Sequence, residues 1–495
     1  MSNKTSLTNF MTICTRGLSR FQPDSSLVLI AVVFLVVGQS LLFSQPIGAP
    51  MPVPACDHCC AQKPSYTGIP GQIAVATQFA SGEGPLGNQD VVIWNISPTP
   101  YPPANTDWAT LGLGGDKYYS DPRWNRTNLG DVFGLTLDSA GNSYVSATTI
   151  YGPGNIGNLA PIHFVFDPNR GQIYKIANGT GNPTLFAQLD NPHGAGLGNI
   201  SYDCEHAGFY VSDFDDGLIY HLDTSGKTLN TWDHGANLSS AADLNNVPLT
   251  RPNIPPYSAT CHVLADGSPC GYDSLGYAKL GRRPWAVHVY QDRLYYSIWN
   301  MDYSQGSAPN EIWSIALDPG GNFILPARLE ITMPLLSGST KNNPVSDLTF
   351  GPKGTMIVAE RTMAGDHVPV GSGIAHQSRV IEFGWTGSSW ASANLSSYAV
   401  GCAFNKTNSA GGVDFDLTPG AKFHVWATGD ALHLVSTCST SSDDVYGLQG
   451  FLPGGGDVTN SILIDLNDYI LKANKMQLGD VKIPCPQLQY PTLTM

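Results

Sequence analysis

Between Gly71 and Leu466 the chain alternates short apolar runs with turn signals, and helical periodicity is absent until residues 469–476. Residues 208–232 show the pattern most plainly. Strands are predicted at 209–213, 218–223 and 228–232, separated by Asp-Asp-Gly and Thr-Ser-Gly-Lys. Gly supplies the positive φ that such turns need, and Asp and Ser bond back to nearby backbone amides. Residues 143–147, 171–176 and 184–187 repeat the same order. One more apolar strand with a tight turn precedes each triplet, at 132–142, 197–208, 284–292, 346–354 and 411–420. With Leu135, Ile200, Val287, Leu348 and Val413 taken as equivalent, the unit recurs every 61 to 87 residues. A similar step back from Leu135 reaches Ile73, which is expected to open a sixth unit.

One four-stranded unit cannot bury both its faces, so repetition implies radial stacking. The expected fold is all-β: a six-bladed β-propeller of four-stranded antiparallel blades over residues 71–466, followed by a tail at 467–495. The segment YVSDFDDGLIYHLDTSGKTLNTW, from Tyr210 to Trp232, resembles a blade of the superfamily that joins NHL-repeat and gluconolactonase-like six-bladed propellers. The resemblance implies the blade count. It implies no single activity, because such propellers serve as lactonases, esterases, synthases and interaction modules. The period exceeds that of WD40 repeats, and no Trp-Asp dipeptide recurs at blade ends.

The N-terminus adds an address. Residues 27–43 carry no charge, and Lys4, Arg16 and Arg20 precede them. Extended to 25–44, the segment is predicted as a hydrophobic helix long enough to cross a bilayer. Residues 1–24 then stay in the cytoplasm and the remainder lies outside. A cleaved signal and an uncleaved anchor both fit, and Val53-Pro54-Ala55 before Cys56 also admits a lipoprotein-type site. Residues 45–70, rich in Pro and Cys, read as a linker. The formal charge of −14, with no basic stripe, excludes nucleic acid as a partner and disfavours adsorption to anionic lipid. Contact with the membrane is therefore expected only through the N-terminal segment.

Ten cysteines suit an extracytoplasmic protein. Cys261 and Cys270 flank a turn at Asp266-Gly267 and are expected to be bridged, as are Cys402 and Cys438. Cys56, Cys59 and Cys60, with His58 between them, read as a disulfide knot or a soft-metal site.

Length, more than motif, locates the candidate chemistry. Turns between a blade's first and second strands, and between its third and fourth, are short. The connections at 116–130, 148–170, 235–282, 301–310, 363–377 and 397–410 are long, and all emerge on one face of a propeller. Binding usually resides in loops carried by a rigid scaffold. Residues entering the inner strands or leaving the second strands on that face form the candidate ligand site: Asp131, His193, Arg283, Trp285, Asn300 and Glu360. The resemblance to gluconolactonases implies an axial divalent cation held by Glu, Asn and Asp at the blade starts. This chain offers Asp131, His193 and Arg283 there, and Arg283 would repel a cation. Asp213 and Asp215 alternate as calcium ligands do, but no Glu closes the loop, so a hydrogen-bonded Asp-Gly turn accounts for them more simply. No cofactor other than Ca²⁺ is suggested. The leading expectation is an exported module that binds a protein or glycan. A metal-dependent lactonase or arylesterase and a structural envelope component stay open as alternatives.

Overall fold

The computed structural model describes residues 61–79, 86–97, 109–110, 118–148, 150–151, 169–189, 196–234, 278, 280–303, 306–351, 354–363, 376–416, 424–433, 438, 445–465 and 477–485. The predicted N-terminal helix, His193, Cys261, Cys270 and the Cys56–Cys59–Cys60 cluster lie outside them. No helix among the described residues is long and apolar enough to cross a membrane.

Four strands come first in the chain: β1 (Ile73–Phe79), β2 (Val91–Asn95), β3 (Ala109–Thr110) and β4 (Tyr118–Tyr119). A single helical turn, α1 (Arg126–Leu129), follows; the Asn125 side chain caps it by accepting from the Asn128 amide. Blade one is β5 (Val132–Leu137), β6 (Ser143–Ala147), β7 (Gln172–Ile176) and β8 (Pro183–Gln188). Blade two is β9 (Leu197–Asp203), β10 (Gly208–Asp213), β11 (Leu218–Asp223) and β12 (Thr228–Asp233). Blade three is β13 (Arg283–Val289), β14 (Arg293–Trp299), β15 (Glu311–Leu317) and β16 (Phe323–Thr332). Blade four is β17 (Val345–Phe350), β18 (Thr355–Glu360), β19 (Val380–Trp385) and β20 (Trp390–Tyr398). Blade five is β21 (Ser409–Asp416), β22 (His424–Gly429), β23 (Gly447–Phe451) and β24 (Ile462–Asp465), with β3 added in parallel at its outer edge. Blade six is ordered β25 (Gln477–Lys482), β1, β2, β4. The chain is thus an all-β, six-bladed propeller.

The inner strands β5, β9, β13, β17, β21 and β25 each neighbour the next around a closed ring. Flanked on both faces, they are buried along nearly their whole length. They therefore show no alternation of buried and exposed positions, and the polar residues they carry are buried with the apolar ones. The outermost strands β8, β12 and β16 are mostly exposed.

Two expectations need correction. Ile73 does not open an inner strand: β1 is the second strand of blade six, paired with both β2 and β25. The inner strand is β25, from the stretch expected to be a tail, so the propeller runs past residue 466. The ring closes by pairing one of the first strands made with the last. Repeat spacing shows only that a strand is due, and a step forward from Val413 points to residues 477–482 as well as a step back points to Ile73.

A ring of hydroxyls stitches the blades together. Each donates to a backbone carbonyl of the next inner strand. Ser146 bonds Gly198 O (2.9 Å), Ser212 bonds Trp285 O (2.6 Å) and Ser297 bonds Val345 O (2.7 Å). Ser346 bonds Gly411 O (2.8 Å), Thr428 bonds Gly479 O (2.9 Å) and Thr77 bonds Phe133 O (2.6 Å). Five of the six come from second strands. The backbones approach so closely that a Cβ at Gly134 would lie 2.5 Å from Ser146 Oγ and 2.7 Å from Asn199 Cα.

Candidate functional site

The axis of the ring holds ionisable groups that are not among the candidate site residues. Asp347 on β17, Asp414 on β21 and Asp480 on β25 point inward and are almost fully buried. Each carboxylate binds an amide of its own strand and one of a neighbouring blade. Asp347 accepts from Leu348 N and Val413 N, Asp414 from Phe415 N and Ile483 N, and Asp480 from Val481 N and Leu135 N. Asn199 reaches Asp347 Oδ1 at 3.1 Å from blade two.

Lys482 lies at the centre. Its Nζ is 2.9 and 3.0 Å from the Asp347 oxygens and 2.8 Å from Asp480 Oδ1. Burial pulls the ammonium down, but Asp347, Asp480 and Asp414 outweigh it and hold its pKa above the ordinary lysine value. Burial, then the Asp480 charge, pushes the Asp347 carboxyl well above the usual range, against the pull of Lys482. A cavity of about 20 Å³ beside Lys482 and Asp414 has room for a single water.

At the long-connection end the axis is filled by apolar side chains. Phe79, Phe133, Tyr151, Phe214, Trp285, Trp299 and Met363, contributed by five blades, form one buried cluster. Arg361 lies 4.9 Å from the Tyr151 ring centre and donates to Ala410 O (2.5 Å) and Leu478 O (3.0 Å). Asp430 accepts from Leu478 N at 3.2 Å. Burial lifts Asp430 to about 6, while Arg361 and the Leu478 amide oppose the shift. Arg361 and Asp430 thus grip both backbone groups of one residue of the closing strand.

The residues expected at the channel mouth are mostly enclosed. Asp131 pairs with Arg126 at 3.0 Å, and its carbonyl accepts from Thr148 N. Arg283 stacks 4.4 Å from the Trp299 ring centre and donates to Ala278 O. Trp285 packs edge-on against Phe133 and Phe214. Glu360 is fully buried; its pKa is raised by that burial against the pull of Arg379, which holds it through two bonds of 2.5 and 2.7 Å. Asn300 is half-buried and donates to Pro309 O. Asp213 accepts from the Asp215 amide within its own turn, and Asp215 accepts from the Gly196 amide, which ties that turn to the start of β9. Burial raises Asp213 well above the usual range, with Asp216 and Asp215 adding to the shift. Cys402 and Cys438 are joined, and Cys204 and Cys485 are also disulfide-bonded. Among the described residues no group of three or more His, Cys, Asp or Glu is placed to hold a metal ion.

A larger cavity, about 540 Å³, opens between blades four and five. Its walls are the ends of β19 and β20, the connection at 399–408 and the turn at 452–461. The first connection lies within 397–410, one of the long connections expected to carry function; the second joins β23 to β24. Lys406 and Asp457 meet across the cavity at 3.0 Å. Asn405 and Lys406 both have positive φ, +64° and +61°, a costly conformation for side chains other than Gly.

No family model and no curated protein sequence matches the chain. Solved structures similar to it include the nidogen/laminin complex, at 11% identity and TM-score 0.42, covering 84% of this chain and 98% of that one. A protein from Lactobacillus plantarum shows 12% identity, TM-score 0.39 and coverage of 83% and 99%. A putative 6-phosphogluconolactonase from Bacteroides fragilis shows 11% identity, TM-score 0.36 and coverage of 85% and 99%. At such identities the likeness extends to fold alone, and the blade count rests on this chain's own sheets.

Proposed function

We propose that the chain is an exported binding module that engages its partner through the long-connection face. The observation that carries this reading is the distribution of length around the ring. Turns on one face are as short as 204–207, 224–227, 290–292 and 386–389. Connections on the other include 148–171, 234–282, 361–379 and 430–446. On the short-turn side the connection at 452–461, between β23 and β24, is an exception, and structural stability alone gives no reason to concentrate the longest connections on the other side. The uncharged segment 25–44 and the Cys402–Cys438 disulfide support export, since disulfides persist in oxidising compartments.

The hydrolase reading draws less support. An axial cation needs carboxylates with free lone pairs. Here the amides of Leu135, Val413 and Ile483 and the ammonium of Lys482 occupy them.

Oriented capture tests the proposal. The full chain is tethered through a cysteine introduced at Ser225, on the short-turn face, or at Thr127, on the long-connection face, and exposed to a glycan array. Retention in the first orientation and its loss in the second is expected. Equal retention in both, or hydrolysis of esters or lactones that depends on added divalent cation, would overturn it.

A further inference from the structure

Charge narrows what the cavity between blades four and five can hold. Arg379 is committed to Glu360 and to the carbonyls of Pro334 and Leu335. Lys406 is paired with Asp457. The wall is therefore formally neutral, and an ionic ligand would have to break one of these pairs to find a counter-charge.

What the wall offers is neutral hydrogen-bonding capacity. Asn405 is exposed, and its side-chain amide makes no hydrogen bond among the described residues. Asn460 accepts from the Asp457 amide through Oδ1, which leaves its NH₂ group directed elsewhere. Asp457 is held in place by the Thr459 hydroxyl at 2.6 Å and keeps about a third of its side chain exposed. The Thr459 hydroxyl, with smaller help from the Thr459 amide and Lys406, depresses this carboxyl to about 2, so it accepts hydrogen bonds as an anion at any ordinary pH. Amide donors and acceptors set around a carboxylate match the alternating donor and acceptor character of vicinal hydroxyls. The volume suits a small ligand.

We propose that this cavity binds an uncharged polyhydroxylated ligand, a saccharide unit, with Asn405 and Asp457 holding adjacent hydroxyls. The proposal rests on the reading that the chain is a binding module, and it names the ligand class; the cavity joins the 399–408 connection of the long-connection face to the 452–461 turn between β23 and β24. Tyr398 lines the cavity but is buried, with its hydroxyl bonded to Glu382 and to the Gly454 amide. No ring face is thus presented for stacking, and a single site is expected to bind with Kd of about 1 mM.

The test is saturation-transfer NMR on the full chain with glucose, galactose, mannose, N-acetylglucosamine and lactose. At least one should receive saturation. Asn405→Gly should weaken its binding at least five-fold. Glycine accepts the positive φ at this position, so the variant removes the amide without straining the turn. Ser225→Ala, in blade two and outside the cavity lining, should bind as the parent does. Transfer to none of the five sugars overturns the saccharide assignment, and oriented capture then decides separately whether the face binds at all. Sugar binding that Asn405→Gly leaves unchanged overturns the cavity while the face reading stands.

Discussion

Replacing Lys482 by Met is the most demanding test of the axial network. The substitution keeps the side chain's length and removes its charge. It leaves Asp347 and Asp480 facing each other in a buried site, where each had been 2.8–3.0 Å from the ammonium. Removing one partner of a buried pair costs about 3–5 kcal/mol, because the remaining charge is not rehydrated. With a guanidinium m-value of about 6 kcal/mol/M, the unfolding midpoint should fall by ~0.5–0.8 M. The loss should depend on pH. Asp347 has a raised pKa in the folded state, so folding favours its protonated form. Stability from such a group is present at low pH and lost as pH rises through the folded pKa. Without Lys482 that pKa climbs further, so the deficit should be larger at pH 8 than at pH 5. Lys482 itself does not titrate in this window, since its own pKa lies above the ordinary lysine value. Adding Asp347→Asn removes one of the stranded charges and should recover at least ~1 kcal/mol, although the Val413 amide then faces an amide group. A midpoint shift under ~0.15 M at pH 8, or a deficit equal at both pH values, would refute the view that this ion pair supports the ring.

Two further outcomes are expected. Asp430, lifted to about 6 from an ordinary 3.8, should make the parent lose roughly 2 kcal/mol of stability as pH rises from 4 to 7.5; Asp430→Asn should flatten that slope in denaturant titrations at both pH values, and an unchanged slope would refute the assignment. Ser212→Ala should cost about 1–3 kcal/mol by leaving the buried Trp285 carbonyl unpaired, whereas Ser225→Ala, in an exposed turn, should stay within about 0.5 kcal/mol; equal melting shifts for the two would remove the hydroxyl ring from the account of stability.

Much of the architecture was legible because inner strands are buried on both faces. That burial sets an apolar residue at a matching place in each, and Leu135, Ile200, Val287, Leu348 and Val413 do fall on five of the six. The sixth was hidden by the closure, since its partners in the blade lie at the other end of the chain. A cue was present: second strands carry a hydroxyl in YVSA, YVSD, YYSI, VWATG and AVATQ, which places Thr77, and so β1, second in its blade. The axial acids were legible in the same way, as a carboxylate at matching places in SDL, VDF and GDV. They lie inside the strands, whereas loop length points to the strand entries, where Asp131 and Arg283 are bonded into the scaffold. The cavity could not be read from the sequence at all. It arises where residues 399–408 meet residues 452–461, and no repeat predicts that meeting.

The closing strand sets a rule for how the molecule is made. Strands β1, β2 and β4 are made before those of blades one to four, yet their blade lacks its axial member until residues 477–482 have been translated. Until then three strands of that blade stand with one edge unpaired, and blades one and five have no neighbour to seal their flanks. Unpaired edges invite association with other chains. The nascent protein therefore carries its greatest exposure to misassembly through almost the whole of synthesis. A premature stop anywhere before residue 477 leaves a ring that cannot shut, however many blades have already formed.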